Sequence, residues 1–381
     1  MLVRCLAMMR GGGETRHLAW MRELTKLGVA VDVITGQPLL LGGARFPIAG
    51  VTHTVLRSPY LRDWVYTFQR KRGFGRLTMD ALHFDEEWFC RSAWREIASR
   101  RNPPDVVHAH ALYQAARLRR GPSAVVLNFP GEPNPRYAAD IALADGLIAD
   151  GWAAAELPKK LGHPVHAVPK GVDSELFRPT GTDLRAQWGV EGKRVVLGVG
   201  RFVPIKNMTL LVNAFARVAK SDPAAHLVLV GEGPEHGSLV ALVNHHQLAT
   251  RVTFAGYVPQ DELGPYYRSA DLFVLSSDFD NSPNVVLEAM ACGIPTISTN
   301  VGGVAEYIVD GKGGALVPAR NDEALATEIG SWLSQAGRRR EAGDFNRQRV
   351  VKHFSWRASA ERLLEVYHAV MARRAAVRVP A

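Results

Sequence analysis

The sequence has few cysteines and no long apolar run. Cys5, Cys90 and Cys292 are scattered over 381 residues, so neither a disulfide framework nor a cysteine-based metal site is expected. No stretch reaches the roughly 18 uninterrupted apolar residues that a membrane-spanning helix needs. The apolar segment 1–8 contains Arg4 and is too short for the core of a signal peptide. We therefore expect a cytoplasmic protein, or one held peripherally on the inner face of the plasma membrane.

The composition is that of a globular protein of about two domains. Apolar residues make up 47% of the chain, aromatic residues 8% and charged residues 22%, which excludes a disordered or fibrous chain. At roughly 100–200 residues per domain, the length predicts two domains. The net charge of +9 indicates an anionic partner, which could be a nucleic acid, an anionic membrane or a phosphorylated ligand.

The positive charge is concentrated in the first half of the chain. Up to Lys170 there are 23 basic and 15 acidic residues, whereas the remainder of the chain has 23 basic and 22 acidic residues. Residues 57–76 combine six basic side chains with one acid and five interleaved aromatics. This mixture favours an anionic membrane interface, and a solvated loop or helix is the alternative. It contains no recognised nucleic-acid-binding motif, so nucleic acid is not expected as a partner.

The first half has the pattern of a Rossmann-like domain. Segment 1–8 is predicted as a strand, glycines 11–13 as a flexible turn, residues 18–27 as a helix and 29–34 as a second strand. This βαβ succession is typical of a parallel sheet covered by helices. Residues 39–94 show no clear pattern. Later strands are predicted at 105–108, 124–127, 146–149 and 165–168.

The pattern restarts after a turn-rich linker at 168–181. Strands are predicted at 194–199, 226–230, 251–254, 271–275 and 295–298, with helices starting near Met208 and at Ser282. The last segment, 357–374, has helical periodicity and is expected to pack back across the linker. We predict an α/β protein with two doubly wound Rossmann-like domains facing across a cleft, 1–170 and 171–351, and a C-terminal helical segment 352–381 that returns to the first domain.

The segment 278–295 carries the most chemical information. Ser282 is a suitable N-cap and Pro283 a suitable first helical residue, so the start of this helix would attract an anion. Glu288 follows on the same helix between the apolar residues Leu287 and Ala289. An unpaired carboxylate there would be costly, so either a hydroxyl-rich ligand or a structural salt bridge is expected to satisfy it.

This segment resembles the signature of the family 4 retaining glycosyltransferases, or glycosyl transferases group 1, which have the GT-B fold. In that signature an acid is followed by seven residues and a glutamate, positions held here by Asp280 and Glu288. The continuation Glu-Ala-Met-Ala-x-Gly-x-Pro and the later Gly302-Gly303-Val304-Ala305-Glu306 also agree. The resemblance implies that Asp280 contacts the donor hexose and Glu288 the nucleotide ribose. It also implies that the residues between them bind the donor: Asn281, Ser282, Pro283, Asn284 and Val285. Asp280 departs from the family by being shorter than the usual Glu.

Two cations follow the predicted strand 194–199. Arg201 and Lys206 lie on a short loop, where they could neutralise a diphosphate whose charge grows as it leaves, and the family has Arg and Lys there for this purpose. With the leaving charge offset in this way, no metal or other cofactor is expected. Asp278-Phe279-Asp280 also spells the Asp-x-Asp metal motif of the other glycosyltransferase fold, and we interpret this match as chance.

Further site residues follow from the resemblance. Gly12 and Gly13 match the glycine loop near the donor phosphate, and Gly231 and Glu232 line the nucleotide pocket. Many relatives have a histidine after the strand at 124–127, where this chain has Asn128. His110, Asn128 and Glu132 are therefore the candidates for contacting the acceptor or the transferred sugar. His108 and His110 share a strand face, but without accompanying ligands we favour packing or acceptor contact over a metal pair.

The predicted function is transfer of a hexose from a nucleotide-diphosphate sugar to an acceptor hydroxyl with retention of anomeric configuration. The acceptor is a sugar, a lipid-linked molecule or another hydroxyl compound of polysaccharide, glycolipid or related biosynthesis, and an anionic membrane surface is a further partner. Two alternatives remain: a nucleotide-sugar epimerase of the same fold, and a basic membrane- or nucleic-acid-binding protein.

Overall fold

The strands of the protein pair in parallel throughout the part of the chain that the structure describes. The computed structural model describes residues 1–4, 6, 12–38, 48–61, 76–129, 133–149, 151, 161 and 163–378. The chain divides into two units: the first comprises Met1–Pro169 and Ser359–Ala381, and the second comprises Lys170–Ala358. The predicted α/β class with two Rossmann-like domains is confirmed.

The first unit is built on two groups of parallel strands joined by Leu2. Its strands are β1 (Val31–Pro38), β2 (Val51–Ser58), β3 (Val106–His110), β4 (Ala124–Asn128), β5 (Gly146–Ala149) and β6 (His166–Ala167). β1 pairs with β2, and β3 to β6 pair in chain order. Leu2 forms isolated parallel bridges to Ile34 of β1 and Ala109 of β3, so it connects the two groups. The described part of this unit before Pro169 contains the helices α1 (Gly12–Lys26), α2 (Arg76–Ala98) and α3 (Ala138–Ile141).

The structure corrects the early part of the sequence interpretation. Gly12 and Gly13 begin helix α1 instead of forming a flexible turn, because glycine is tolerated at a helix start, where the first N–H groups need no intrahelical partner. The strand predicted at 29–34 begins at Val31 and continues to Pro38. Strand β2 and most of helix α2 lie in region 39–94, where the sequence shows no clear pattern.

The second unit contains a six-stranded parallel sheet. Its strands are β7 (Arg194–Val199), β8 (Ala225–Val230), β9 (Val252–Gly256), β10 (Leu272–Leu275), β11 (Thr296–Thr299) and β12 (Gly314–Val317). Its helices are α4 (Arg185–Trp188), α5 (Met208–Ser221), α6 (His236–His245), α7 (Gly264–Arg268), α8 (Asn284–Ala291), α9 (Asp322–Ser334) and α10 (Ala336–His353). Buried apolar clusters cover both faces of the sheet, so its strands read as continuous apolar runs.

The strand order creates a switch point in the middle of this sheet. The order is β12-β11-β10-β7-β8-β9, so the chain runs outward from β7 to β9 and then returns to the other side of β7 as β10. The loops after β7 and β10 therefore diverge at the carboxyl ends of adjacent strands. In open α/β sheets, ligands bind at such a point.

The last helix, α11 (Trp356–Arg378), belongs to the first unit from Ser359 onward. Trp20 of α1 donates its indole N–H to Ser359 Oγ at 2.8 Å, and His108 Nδ1 lies 2.6 Å from the Tyr367 hydroxyl. A Cβ on Gly146 of β5 would lie 2.6 Å from Val370, so α11 packs closely against the sheet. None of the described helices is long and apolar enough to cross a membrane.

Candidate functional site

Two hydrogen bonds connect the loops after β7 and β10 at the switch point of the second sheet. The backbone N–H of Asp278 donates to the carbonyl of Ile205 at 2.9 Å. Ser276 Oγ donates to the carbonyl of Lys206 at 3.1 Å. These bonds fix the relative position of the two loops that carry the predicted catalytic side chains.

Lys206 and Asp280 form an ion pair across these loops. The Lys206 ammonium donates a hydrogen bond to Asp280 Oδ2, with the two side chains 22% and 13% exposed. The backbone carbonyl of Asp280 accepts the Gly303 N–H at 3.1 Å. Gly302 has φ +53°, and a Cβ there would lie 2.0 Å from that carbonyl. The Gly302-Gly303 pair recognised in the sequence therefore lets a neighbouring loop support Asp280.

The other acid of the Asp-x-Asp sequence has protein partners of its own. Arg320 donates to Asp278 Oδ2 through Nε at 3.0 Å and Nη2 at 2.8 Å, and Asn207 Nδ2 donates to Oδ1 at 2.9 Å. Hydrogen bonds from Arg320, assisted by Asn207, lower the pKa of Asp278 below its ordinary value. Among the described residues, no group of three or more His, Cys, Asp and Glu side chains is arranged to hold a metal ion.

Arg201 is the second cation of the β7 loop. Its side chain is exposed and makes no hydrogen bond or ion pair with the residues that the structure describes. The neighbouring Gly200 donates its N–H to the carbonyl of Val230 at the end of β8. Arg201 thus projects from a fixed backbone with its guanidinium available to an anion.

Gly231 and Glu232 form the turn that follows β8. Gly231 has φ +136°, and a Cβ there would lie 1.9 Å from the carbonyl oxygen of Gly200. The carbonyl of Glu232 accepts the Phe202 N–H at 2.8 Å, while its side chain is exposed. The turn therefore packs backbone to backbone against the loop that carries Arg201, and only glycine fits at residue 231.

Helix α8 begins one residue later than the predicted N-cap and first helical residue imply. Its first residue is Asn284 and its N-cap is Pro283, with no side chain capping the N–H groups. The predictions that Ser282 is the N-cap and Pro283 the first helical residue are wrong, because Ser282 Oγ bonds the Tyr307 hydroxyl instead, at 2.7 Å. The uncapped first turn, with Val285 in it, therefore presents N–H groups suited to an anion.

Two carboxamide oxygens add hydrogen-bond acceptors at this helix start. Oδ1 of Asn281 and Oδ1 of Asn284 are buried and accept no hydrogen bond from any residue that the structure describes. A buried acceptor without a donor is costly. These two oxygens are thus suited to ligand hydroxyl groups.

Glu288 of α8 is 1% exposed and has two hydrogen-bond donors. Gln260 Nε2 donates to Oε1 at 2.6 Å and the Tyr267 hydroxyl to Oε2 at 2.8 Å. Burial raises the pKa of Glu288 above its ordinary value, while these bonds and the charge of Lys170 act in the opposite direction. Sequence reasoning missed Gln260 and Tyr267, because no spacing rule relates residues 28 and 21 positions before Glu288 to it.

In the first unit, the predicted acceptor-side residues lie at the carboxyl ends of β3 and β4. His110 and Asn128 are register partners, and His110 Nδ1 lies 2.8 Å from Asn128 Oδ1. The His17 ring centroid is 4.4 Å from that of His110. Glu132 lies outside the described residues. Gly12 and Gly13 are placed at the start of α1, also in the first unit.

Two family models match the chain in succession. Residues 10–176 match Glycosyltransferase Family 4, and residues 182–349 match Glycosyl transferases group 1. N-acetyl-alpha-D-glucosaminyl L-malate synthase of Bacillus anthracis is 30% identical over 74% of this chain and 78% of its own length. A D-inositol 3-phosphate glycosyltransferase of Rhodococcus opacus is 34% identical over 74% of this chain and 64% of its own length. A phosphatidylinositol monomannoside mannosyltransferase of Mycolicibacterium smegmatis, which is GDP-mannose-dependent, is 29% identical, and the chain spans 55% of its length.

Solved structures share the fold over nearly the whole chain. Sucrose-phosphate synthase from Thermosynechococcus elongatus has a TM-score of 0.74 at 22% identity and covers 98% of both chains. Anabaena HepE, solved in complex with UDP, has a TM-score of 0.72 at 17% identity, covering 97% of this chain and 98% of HepE. With these matches, the chain belongs to the group 1 glycosyltransferases of family 4 type and has the GT-B fold.

Proposed function

We propose that the protein transfers a hexose from a nucleotide-diphosphate sugar to an acceptor hydroxyl with retention of anomeric configuration. The observation that carries this proposal is the arrangement at the switch point of the second sheet. There, Lys206 and Asp280 meet beside the uncapped start of α8. Cations and helix N–H groups suit a diphosphate, and carboxylate and carboxamide oxygens suit sugar hydroxyls.

The leaving diphosphate is stabilised by groups that the protein supplies. Arg201 and Lys206 neutralise the charge that develops on the phosphate oxygens as the glycosidic bond breaks. The N–H groups at the start of α8 add a positive dipole end. These interactions strengthen in the transition state, which is the condition for accelerating the chemical step.

Asp280 has a second role once the donor is bound. In the structure its carboxylate neutralises Lys206. When a diphosphate takes over that cation, the carboxylate is released to accept hydrogen bonds from hydroxyls of the transferred hexose. Glu288 accepts hydrogen bonds from the ribose, and Gly231 lets the nucleotide approach the backbone at the end of β8.

The acceptor is assigned to the first unit, with His110 and Asn128 as its contacts. Their hydrogen bond fixes both side chains at adjacent strand ends. With retention, the acceptor hydroxyl attacks the face that the diphosphate leaves and gives its proton to the departing phosphate. NMR of the product's anomeric carbon tests this, because inversion would contradict the retaining mechanism.

Screening of donors is the principal test of the proposed function. Purified protein is heated with UDP-glucose, UDP-N-acetylglucosamine, GDP-mannose and ADP-glucose in turn, and its melting temperature is recorded. At 100 times Kd, a true donor stabilises the fold by about 2.7 kcal/mol, whereas the variant Arg201→Ala responds less. Absence of a shift with every nucleotide sugar at millimolar concentration would contradict the proposal.

The proposal includes no metal cofactor, because Arg201 and Lys206 take the part of neutralising the diphosphate. Transfer activity is therefore expected to persist after dialysis against EDTA. Loss of activity with EDTA and its recovery with Mg²⁺ or Mn²⁺ would contradict this part of the proposal.

An anionic membrane surface is proposed as a partner of the first unit, with the protein cytoplasmic and peripheral on the inner leaflet. Most of the basic stretch 57–76 lies outside the described residues. On helix α2, however, Phe84 and Trp88 are 48% and 44% exposed, and the exposed Arg91 and Arg95 follow on the same side of the helix. Sedimentation with phosphatidylglycerol vesicles, but not with phosphatidylcholine vesicles, is expected. Equal sedimentation with both, or with neither, would contradict the membrane proposal.

A further inference from the structure

The Glu288 carboxylate is held at both oxygens by side chains from the segment that follows β9. Gln260 belongs to the short 3-10 turn Gln260–Glu262, and Tyr267 belongs to helix α7. We propose that Gln260 and Tyr267 are positioning residues that orient Glu288 to bind the two ribose hydroxyls of the donor nucleotide. This inference rests on the proposed function, since it requires a nucleotide at this site.

The Glu288 carboxylate can accept two further hydrogen bonds, which is the number that the two hydroxyl groups of a diol donate. An ionised carboxylate offers about four lone-pair directions, two on each oxygen. Gln260 occupies one on Oε1 and Tyr267 one on Oε2. One direction remains on each oxygen, which matches two adjacent hydroxyl groups. Because both oxygens are anchored, the carboxylate plane cannot rotate freely, and little orientational freedom is lost when a ribose binds.

The environment of Glu288 explains why it needs these donors. The side chain is 1% exposed, and burial disfavours a carboxylate. The charged and titratable groups that act on it are Tyr267, Lys170 and Cys292. Burial raises the pKa of the Cys292 thiol to about 12, so this neighbour is neutral. The hydrogen bonds from Gln260 and Tyr267, together with the charge of Lys170, oppose this effect of burial on the pKa of Glu288 and favour its anionic form.

The two positioning residues differ in how deeply they are embedded. Tyr267 is fully buried, whereas Gln260 is exposed. Tyr267→Phe removes only an oxygen from a packed ring, and Gln260→Ala removes an exposed side chain, so each variant takes away one hydrogen bond to Glu288 and leaves the packing of the core in place. Tyr266 is a matched control, because it is the adjacent residue of α7 and its hydroxyl makes no hydrogen bond with the described residues.

The test compares a ribonucleotide with an analogue that lacks the hydroxyls in question. Calorimetry with GDP, UDP and ADP identifies the nucleoside diphosphate that the wild-type protein binds most tightly. Its 2′,3′-dideoxy counterpart is then titrated into the wild-type protein and the three variants. For Tyr267→Phe and Gln260→Ala, we expect the Kd of the ribonucleotide to rise about 3- to 10-fold, the usual range for one hydrogen bond. The Kd of the dideoxynucleotide is expected to stay within about twofold, and Tyr266→Phe is expected to change neither value.

The pH dependence of binding gives an independent readout. Removing a donor raises the pKa of Glu288. As the pH is lowered, binding of the ribonucleotide should therefore begin to weaken at a higher pH in Tyr267→Phe than in the wild-type protein. A purely structural role would weaken the binding of the ribonucleotide and of the dideoxynucleotide equally, and the pH at which ribonucleotide binding weakens would stay unchanged. That result would overturn the inference. If the wild-type protein bound none of the three nucleotides, the proposed function itself would be contradicted.

Discussion

The Lys206 ammonium donates a hydrogen bond to the Asp280 carboxylate, and this pair joins the loop after β7 to the loop after β10. The side chains are 22% and 13% exposed, so solvent screens the pair less than it screens an exposed one. Asp280 neutralises the Lys206 ammonium. In the proposed function, a bound diphosphate would therefore compete for Lys206 with a carboxylate of the protein itself.

Replacing Lys206 with Ala is expected to reduce transfer strongly. In the proposed mechanism, the variant loses a cation that stabilises the leaving diphosphate, which corresponds to about 2–4 kcal/mol of transition-state stabilisation, or roughly 30- to 1,000-fold in kcat/KM. Steady-state kinetics with the donor identified by thermal stabilisation measures this. The matched control is Lys220→Ala, at an exposed position near the end of α5. Near-normal turnover of Lys206→Ala would contradict the role given to this residue.

Arg201→Ala is expected to separate catalysis from stability. The loss of transfer should be of the same size as for Lys206→Ala, about 2–4 kcal/mol. The melting temperature without ligand should stay unchanged, because Arg201 makes no side-chain hydrogen bond or ion pair with the described residues. Arg340→Ala, at another exposed position, serves as the control. A lowered melting temperature would indicate that Arg201 has a structural role instead.

Asp280→Asn should affect binding and turnover in opposite directions. Removing the carboxylate charge leaves Lys206 unpaired, so a nucleoside diphosphate without sugar should bind roughly 3- to 10-fold more tightly. Transfer should nevertheless fall, because the carboxamide accepts weaker hydrogen bonds from the hexose hydroxyls. Calorimetry with GDP and UDP and kinetics with the nucleotide sugar measure the two effects. Weaker binding of the nucleoside diphosphate would refute the competition between Asp280 and the diphosphate.

Gly231→Ala is expected to disrupt the nucleotide side of the site. The φ of +136° and the 1.9 Å approach to the Gly200 carbonyl require the two loops to separate, at about 1–3 kcal/mol of stability. Gly237→Ala is the matched control, since a Cβ there meets no atom within 4 Å and alanine favours the helix that contains it. Chemical denaturation and nucleotide titration measure both variants. If the two variants were equally stable, the requirement for glycine at residue 231 would be wrong.

The buried His108 should make stability depend on pH. Burial lowers its pKa well below the ordinary value, so the unfolded chain binds a proton more readily than the folded protein. The contribution of the neutral His108 to the free energy of unfolding is fully present above a pH of about 6.5, the ordinary pKa of histidine. It is lost as the pH falls toward the folded-state pKa.

The measurement is urea denaturation of the wild-type protein and His108→Gln at pH 7.5 and 5.5. Because glutamine does not titrate, the variant should lose less stability between these pH values, by up to about 1.4 kcal/mol per pH unit. Both proteins retain the other histidines, which cancel in the comparison. An identical pH dependence would show that His108 does not cause it.

The sequence predicts the elements that depend on local pattern, in the second unit and in the last helix. β7 is observed at Arg194–Val199, as its β-branched run indicates, and the last helix is found where the apolar periodicity places it. The strong turn and strand signals of this unit led directly to the switch-point loops that carry Lys206 and Asp280.

Contacts between distant residues are where sequence reasoning failed. Ser282 has the right chemistry for an N-cap, but Tyr307 lies 25 residues later in the chain and engages its hydroxyl. The donors to Glu288 come from a different helix and a different turn. Local propensity does not contain such information, because tertiary packing decides which of several satisfactory partners a polar group meets.

The return of α11 to the first unit has a consequence for biosynthesis. The second unit is continuous in sequence, from Lys170 to Ala358, whereas the first needs Ser359 and the residues after it. Until these residues are translated, Trp20 and His108 lack their partners Ser359 and Tyr367. Since domains generally fold as units during synthesis, the unit whose residues leave the ribosome first is the one completed last.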